Sequence, residues 1–338
     1  LNKDTTWYWQ GGIWDTPETW LDSDSDSNFT IYDSSWTYAN VDWTSGYEYQ
    51  ITSKARDKAG NLESSPSQFT FLFDNEGPVS SVTQPASLEK LSSLIEINGT
   101  CQDTPEVRTS GVQEIKIALK GLTPPNTGYY KGSGDWTGNS AQWFATNYST
   151  TTFVWRKLTS VLGTFTGAGN PPDGEYAIIP RGLDNAQNYE VNFATRTFIW
   201  DTTKPQFLNV SPSSNTATNS NGVTLTLSEP LKDNTGIIIY KAETGFNGEI
   251  QNSTDTYHIL TPLQCGTTTQ QTINISGLID GNRYTLTVEG KDLADNSGDK
   301  VTHSGIIYDK TEATSDISFP NKSYHSDVTT ILGTCQDP

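Results

Sequence analysis

Aspartates recur in this 338-residue chain at a fixed spacing, and carboxylates arranged in this way can bind a divalent cation. Three times an aspartate stands 17 residues before a second aspartate, which directly follows an aromatic residue. The pairs are Asp57 and Asp74, Asp184 and Asp201, and Asp292 and Asp309. Calcium takes roughly six to eight oxygen ligands, so a site in this chain must draw on several segments. The fixed spacing also indicates tandem repeats of one structural unit.

The segment before each first aspartate has the pattern of a strand. A tyrosine stands eight residues upstream, at positions 49, 176 and 284, and alternate residues then share one face. A period of two over this length is typical of a half-buried strand. Turn residues follow, and a second strand ends at the second aspartate. The pattern predicts strands F and G of an immunoglobulin-type sandwich, with the tyrosine in the position of a tyrosine corner.

The composition excludes several classes of protein. A net charge of −18 argues against nucleic acid as a partner, because phosphates would be repelled. No apolar run is long enough to span a bilayer. His258, His303 and His325 have no metal-site or catalytic-triad spacing, and no phosphate loop or nucleophile elbow is present. We therefore expect no enzyme and no membrane span.

The repeats divide the chain into four predicted domains. Residues 1–75 hold the later strands of a sandwich, and residues 76–201 form a full domain with an aromatic, glycine-rich insertion from about Gly121 to Gly169. Residues 202–309 form a domain of a second type, and residues 310–338 repeat only the opening of the second domain. Two strands cannot bury a core alone. We therefore expect residues 1–75 to be completed by the opening strands of another chain, or of a preceding stretch of a longer chain.

Several segments resemble the tandem bacterial immunoglobulin-like repeats, of the Big and fibronectin-III-like kinds, found in large surface proteins and adhesins. They are Arg56–Asn61, Ser110–Val112 and Asp201–Pro205, while residues 222–296 are similar to a second bacterial subfamily. The resemblance implies an all-β chain of tandem immunoglobulin-like sandwiches in a rod. It also implies an extracellular or cell-surface structural role, as a fibre, filament or adhesin stalk that assembles with copies of itself or adjacent repeats.

In such a sandwich the loop after strand B and the loop between strands F and G lie at the pole where the previous domain enters. Each linker aspartate should therefore approach two further carboxylates. The predicted groups are Asp74 with Asp103 and Asp184; Asp201 with Glu229 and Asp292; and Asp309 with Asp337, whose F–G loop would come from elsewhere. Like charges gathered without a cation would be costly, so Ca2+ at the junctions is one interpretation. The alternative is that each aspartate closes a turn by accepting backbone hydrogen bonds.

Aromatic residues and cysteines carry two further predictions. Trp136 and Trp143 in the insertion could form a platform that stacks against sugars, which would make the chain a carbohydrate-binding surface module; they could equally be core. Cys101 and Cys335 share the sequence Gly-Thr-Cys-Gln-Asp, so each is expected to be a small buried side chain in its own domain.

Overall fold

The computed structural model describes residues 1–105, 108–165, 170–243, 255–324 and 326–337. Gly169, His325 and Pro338, which enter the predictions above, lie outside these ranges. The prediction of an all-β chain of immunoglobulin-like sandwiches is confirmed, since 45% of the structure is strand and 3% is helix. The chain separates into two compact units, one comprising residues 1–89 and 93–200 and the other residues 90–92 and 201–338. The finer division into four domains stays a prediction.

Residues 1–75 form three two-stranded antiparallel sheets, β1–β2, β3–β4 and β5–β6. Their strands are β1 Tyr8–Trp9, β2 Trp14–Asp15, β3 Phe29–Ile31, β4 Trp36–Tyr38, β5 Tyr47–Ser53 and β6 Ser67–Phe73. Tyr49 is buried among Trp14, Trp43 and Phe71. Further along the same face, Ile51 is 41% exposed, and its cross-strand partner Phe69 is 67% exposed. One end of the apolar face of β5–β6 is therefore uncovered.

Residues 76–200 form two sheets that pack as a sandwich. The elements are β7 Val79–Gln84, β8 Lys90–Leu91, β9 Glu96–Gln102, β10 Val112–Gly121, β11 Phe144–Ala145, β12 Asn147–Ser149, β13 Val154–Leu158, α1 Thr159–Leu162, β14 Gly174–Asp184 and β15 Arg196–Trp200. One sheet has the order β12-β13-β9-β7, and the other contains β11-β10-β14-β15. Ile97 and Trp155 of the first sheet and Ile117, Ile178 and Phe198 of the second are all fully buried.

Residues 201–309 form a second sandwich with its own core. The elements are β16 Phe207–Ser211, β17 Ala217–Thr218, β18 Gly222–Leu227, β19 Ile237–Ala242, β20 Thr256–Ile259, α2 Pro262–Cys265, β21 Gln271–Asn274, β22 Asn282–Glu289 and β23 Val301–Tyr308. The sheets run β16-β18-β21 and β17-β23-β22-β19-β20. Strict alternation along β18 buries Val223, Leu225 and Leu227 against β22 residues such as Leu286. This is the period of two read from the sequence.

The tyrosine corner is present in all three repeats. In each, a buried tyrosine at the start of an F strand joins its hydroxyl to the backbone four or five residues upstream. The bonds link Tyr49 to Thr44, Tyr176 to Pro172 and Tyr284 to Ile279, at 2.6–2.9 Å. The hydroxyl thereby fixes the path by which the chain enters strand F.

Residues 310–337 form one antiparallel hairpin, β24 Thr314–Phe319 with β25 Leu332–Gln336. Every described residue of this segment except Phe319 is exposed, and Asp309, which directly precedes the segment, is half-buried. Ile317 is 66% exposed and Ile331 is 71% exposed. The expectation that Cys335 is buried is wrong: no described residue covers this hairpin, whereas Cys101 lies inside a complete sandwich.

Candidate metal centres

A hydrogen-bonded turn follows strand F in all three repeats. It is closed by an aspartate and by the asparagine four residues later. One carboxylate oxygen accepts the asparagine backbone N–H and the other accepts its side-chain amide, at 2.7–2.9 Å. The pairs are Asp57 with Asn61, Asp184 with Asn188 and Asp292 with Asn296. Turn closure therefore accounts for the position of these three aspartates without any cation.

The first copy of this turn stands alone and provides a reference. Asp57 is exposed, and no further carboxylate of the described residues joins it in a cluster. The hydrogen bonds from Asn61 hold the pKa of Asp57 below its usual value. The turn is thus complete without neighbouring acids, so the extra carboxylates around Asp184 and Asp292 need another explanation.

Three buried carboxylates converge where the linker enters residues 76–200. They are Asp74, Asp103 and Asp184, and we call them the first acidic triad. Asp74 follows β6, Asp103 follows β9 and Asp184 ends β14, and the three are 9%, 9% and 0% exposed. One oxygen of each lies within 4.8 Å of the others. The structure therefore brings together the group that the repeat spacing predicts.

Backbone amides orient the first acidic triad. Ser110 N–H donates to Asp74 Oδ2 at 2.8 Å, and Gly111 N–H donates to Asp103 Oδ2 at 2.7 Å. Gly111 has a φ of +85°, which glycine adopts without strain, and this conformation aims the two successive amides at two different carboxylates. An ionised carboxylate offers about four lone-pair sites, so these bonds leave oxygen positions for a cation.

No basic side chain of the described ranges neutralises the first acidic triad. Among the ion pairs of the described residues, none reaches Asp74, Asp103 or Asp184. Burial raises the pKa of Asp103, and the neighbouring carboxylates of Asp74 and Asp184 raise it further, against the lowering effect of the hydrogen bond from Gly111. Three oxygen-rich acids without a basic partner are the donor set that Ca2+ prefers.

The second acidic triad consists of Asp201, Glu229 and Asp292 and occupies the matching place in residues 201–309. Asp292 is fully buried and the other two are half-buried, and one oxygen of each lies within 4.8 Å of the others. Here a basic group is near, since Lys90 Nζ lies 3.8 Å from Asp201 Oδ2. The second triad is therefore partly neutralised, and the first is not.

In each triad an asparagine side chain connects the F–G turn to the linker aspartate. Sequence reasoning missed these asparagines. Asn188 Nδ2 donates to the backbone carbonyl of Asp74 at 3.1 Å, and Asn296 Nδ2 donates to that of Asp201 at 2.9 Å. The same amide thus holds the F–G turn against the linker aspartate in both repeats. The signal was visible as an asparagine four residues after each F–G aspartate.

The third predicted group is not assembled within one chain. Asp309 accepts the N–H of Thr311 at 2.9 Å, and Asp337 lies in the exposed segment after β25. Neither belongs to a cluster of three acids among the described residues. The prediction that the remaining F–G loop comes from elsewhere stays a prediction.

The two candidate sugar-binding tryptophans have different surroundings. Trp136 is 4% exposed and packs against Tyr130, Phe165 and Tyr176, so its ring belongs to the core. Trp143 is partly exposed, and the Arg181 guanidinium lies 4.1 Å from its ring centroid. The other side of Arg181 faces Tyr189, at 4.5 Å.

Comparisons with known proteins give structural likenesses only. Neither the family models nor the curated proteins match the chain significantly. Chicken CNTN1 FN1–FN3 domains are similar at 14% identity and a TM-score of 0.31, over 80% of each chain. Clostridium thermocellum CbhA fibronectin(III)-like modules have 12% identity and a TM-score of 0.31, over 68% of this chain and 94% of theirs. The protocadherin gammaB7 EC3–6 cis-dimer structure has 11% identity and a TM-score of 0.32, over 88% of this chain and 67% of that one. Likenesses of this size do not indicate a shared function.

Within the described ranges, no helix has the length and apolar character needed to cross a bilayer.

Proposed function

We propose that this chain is an extracellular structural segment of a bacterial surface fibre, filament or adhesin stalk, and that Ca2+ stiffens the joints between its sandwiches. The observation that carries the proposal is the repetition of one acidic triad at two joints. Each triad takes one acid from the linker, one from the loop after strand B and one from the F–G turn. Each triad thereby ties the linker to the domain that follows it, and a bound ion would restrain the linker at that point.

The chemistry of the triads supports a cation in preference to turn closure alone. Turn closure accounts for the F–G aspartate, as the exposed Asp57 turn illustrates. It does not account for Asp103, which approaches from a separate loop and is buried beside two other carboxylates. Bringing like charges together in a partly buried place costs free energy, and a bound divalent cation would reverse the sign of that contribution. The triad acids would hold the ion.

The experiment compares the thermal unfolding of the chelated chain with and without added CaCl2, using MgCl2 as the control for ionic strength. We expect Ca2+ to raise the melting temperature, because an ion bound only by the folded state stabilises it by mass action, by about 2.7 kcal/mol at one hundred times Kd. Small-angle X-ray scattering on the same samples reports the length of the particle. Identical melting and identical scattering in EDTA and Ca2+ would refute the proposal.

The carbohydrate-binding alternative keeps one specific observation in its favour. Trp143, Arg181 and Tyr189 form a partly exposed stack, with Phe193 5.8 Å from Trp143 and 45% exposed. Exposed aromatic faces can stack on sugar rings. Binding on a glycan array that is lost in Trp143→Ala and retained in Trp20→Ala, another exposed tryptophan, would favour this function.

A further inference from the structure

A buried polar contact ties β7, which is strand A of this sandwich, to β14, which is strand F, in residues 76–200. The Glu190 carboxylate accepts the backbone N–H of Ser80 at 2.9 Å and the Ser80 hydroxyl at 2.5 Å. The same carboxylate accepts the N–H of Gly182 at 3.0 Å. Glu190 is 4% exposed and Ser80 is 2% exposed. Such a charge-assisted contact is strong and geometrically selective, and we call it the Glu–Ser latch.

Residues 1–75 carry the glutamate half of a second latch. Glu63 accepts the N–H of Ala55 at 3.0 Å and donates its own N–H to Ala55 O at 2.8 Å. Glu190 makes the same two bonds with Gly182, both at 3.0 Å. The strand registers also match, since Tyr49 pairs with Phe71 as Tyr176 pairs with Phe198. In contrast to Glu190, Glu63 is exposed.

The hairpin of residues 314–336 carries the serine half. In β24–β25, Ser315 pairs with Cys335 and Ile317 with Gly333. In β7–β9, Ser80 pairs with Cys101 and Val82 with Gly99, and both hairpins have a register shift at the next position. Ser315 therefore occupies the place of Ser80.

The two exposed surfaces have the composition of one buried interface. Ile317 is 66% exposed, while the matching Val82 is 2% exposed. On the opposite side, Ile51 is 41% exposed, while the matching Ile178 is fully buried. The surface that a complete domain buries is thus divided between the hairpin and strand β5.

In residues 201–309 a glycine occupies the position that corresponds to Glu190, so the latch cannot form there and is selective. Gly298 donates its N–H to Gly290 O at 2.9 Å and so stands in the place of Glu190. A Cβ at Gly298 would lie 2.7 Å from Pro205 O, so this position cannot take a glutamate without rearrangement. Of the described strand pairs, β5–β6 therefore matches the hairpin better than β22–β23 does.

We propose that the β24–β25 hairpin of one copy docks on the β5–β6 sheet of a second copy, with Ser315 donating to Glu63. The hairpin supplies strands A and B, and residues 1–75 supply the rest of the sandwich. This names the partner in the proposed fibre and rests on that function. The interaction joins chains head to tail, because donor and acceptor surfaces are different.

A disulfide tests the register of the docked hairpin. An ideal Cβ on Gly182 lies 3.1 Å from Cys101 Sγ, so a cysteine at position 55 would lie within bonding reach of Cys335 of the second copy. Cys101 and Cys265 are buried, which leaves Cys335 as the accessible thiol. Under mild oxidation, Ala55→Cys should give a ladder of dimers and higher multimers on a non-reducing gel.

Two controls accompany this variant. Lys54→Cys places the thiol on the opposite face of the strand and should give at least tenfold less cross-linked product. Ala55→Cys combined with Cys335→Ser should give no ladder. Bands only at single-chain mobility for Ala55→Cys, or equal ladders for Ala55→Cys and Lys54→Cys, would overturn the proposal.

Analytical ultracentrifugation tests the latch itself. Ser315→Ala and Glu63→Gln should each raise the dissociation constant of the dimer by roughly tenfold or more, since each removes a charged hydrogen bond. Thr314→Ala is the matched control, because the equivalent Val79 is 60% exposed. Unchanged association in both latch variants would contradict the proposed contact. Ultracentrifugation in EDTA and in CaCl2 separates the docking proposal from the calcium proposal. If the protein sediments as single chains in both buffers while Ca2+ still raises the melting temperature, the docking is rejected and the calcium proposal stands.

Discussion

The replacement Asp103→Asn separates a cation site from a hydrogen-bonded turn, because the two explanations predict different signs. The substitution removes one of three charges and keeps the shape of the side chain. At 4.8 Å, each carboxylate pair costs about 3 kcal/mol at an effective dielectric constant of about 20, and about 1 kcal/mol in bulk water. Asp103 takes part in two such pairs, with Asp74 and Asp184.

The hydrogen bonds of Asp103 reduce this gain. An asparagine keeps one acceptor oxygen, so it can retain the bond from Gly111 N–H at 2.7 Å or that from Thr104 N–H at 3.0 Å. Each lost bond costs about 1 kcal/mol. The net effect in EDTA is a stabilisation of about 1–5 kcal/mol, and each kcal/mol raises the melting temperature by roughly 4 °C in a domain of this size.

In saturating Ca2+ the effect should reverse. The parent chain gains the free energy of ion binding, about 2.7 kcal/mol at one hundred times Kd, and the variant loses a ligand. Differential scanning calorimetry in the two buffers measures both signs, and Asp57→Asn is the matched control from the exposed copy of the turn. If Asp103→Asn melts below the parent by the same amount in EDTA and in Ca2+, the charge argument is wrong and Asp103 acts through hydrogen bonds alone.

Three further predictions follow from the same contacts. Burial, and then the neighbouring carboxylates, raise the folded-state pKa of Asp103 above the unfolded value of about 3.9. The urea midpoint in EDTA should therefore fall as pH rises from the unfolded pKa to the folded pKa, and Ca2+ should flatten this profile. A midpoint that rises over the same pH range in the parent relative to Asp103→Asn would contradict this prediction. Asn188→Ala should destabilise the chain by about 1–2 kcal/mol through loss of its bonds to Asp184 and Asp74, more than Asn61→Ala does at its exposed turn; equal urea midpoints for the two variants would count against the bridging role. Gly99→Ala should lower stability by about 3 kcal/mol in thermal melts, since its Cβ would clash with the backbone oxygen of Ser81 on β7 and lie 2.6 Å from the Trp155 ring; a neutral result would show that β9 is not packed against β7 and β13 as described.

The strands and the acidic triads could be predicted from the repeat spacing, because that spacing shows which residues alternate along a strand and which positions correspond between copies. The fixed interval between Asp184 and Asp201 places one residue at the F–G turn and the other at the exit of strand G. The topology of a sandwich then brings Asp103 to the same pole. Neither step needs the details of side-chain packing, which is why the prediction was possible.

Burial of individual side chains was harder to predict. Trp136 and Trp143 lie in one aromatic insertion, yet only Trp136 enters the core, because only its ring reaches Tyr176 and Phe165. Cys335 shares its local sequence with Cys101, but its exposure depends on a second sheet that is not present beside it. The Glu–Ser latch was invisible for a similar reason, since Glu190 and Ser80 are 110 residues apart.

Isothermal titration calorimetry of Ca2+ into the chelated chain tests the central claim most directly, at protein concentrations where ultracentrifugation shows single chains. We predict two bound ions per chain, with Asp184→Asn and Asp292→Asn each removing one and Asp57→Asn removing neither. A chain that binds no Ca2+, or one whose stoichiometry is unchanged by Asp184→Asn and Asp292→Asn, would contradict calcium-stiffened joints.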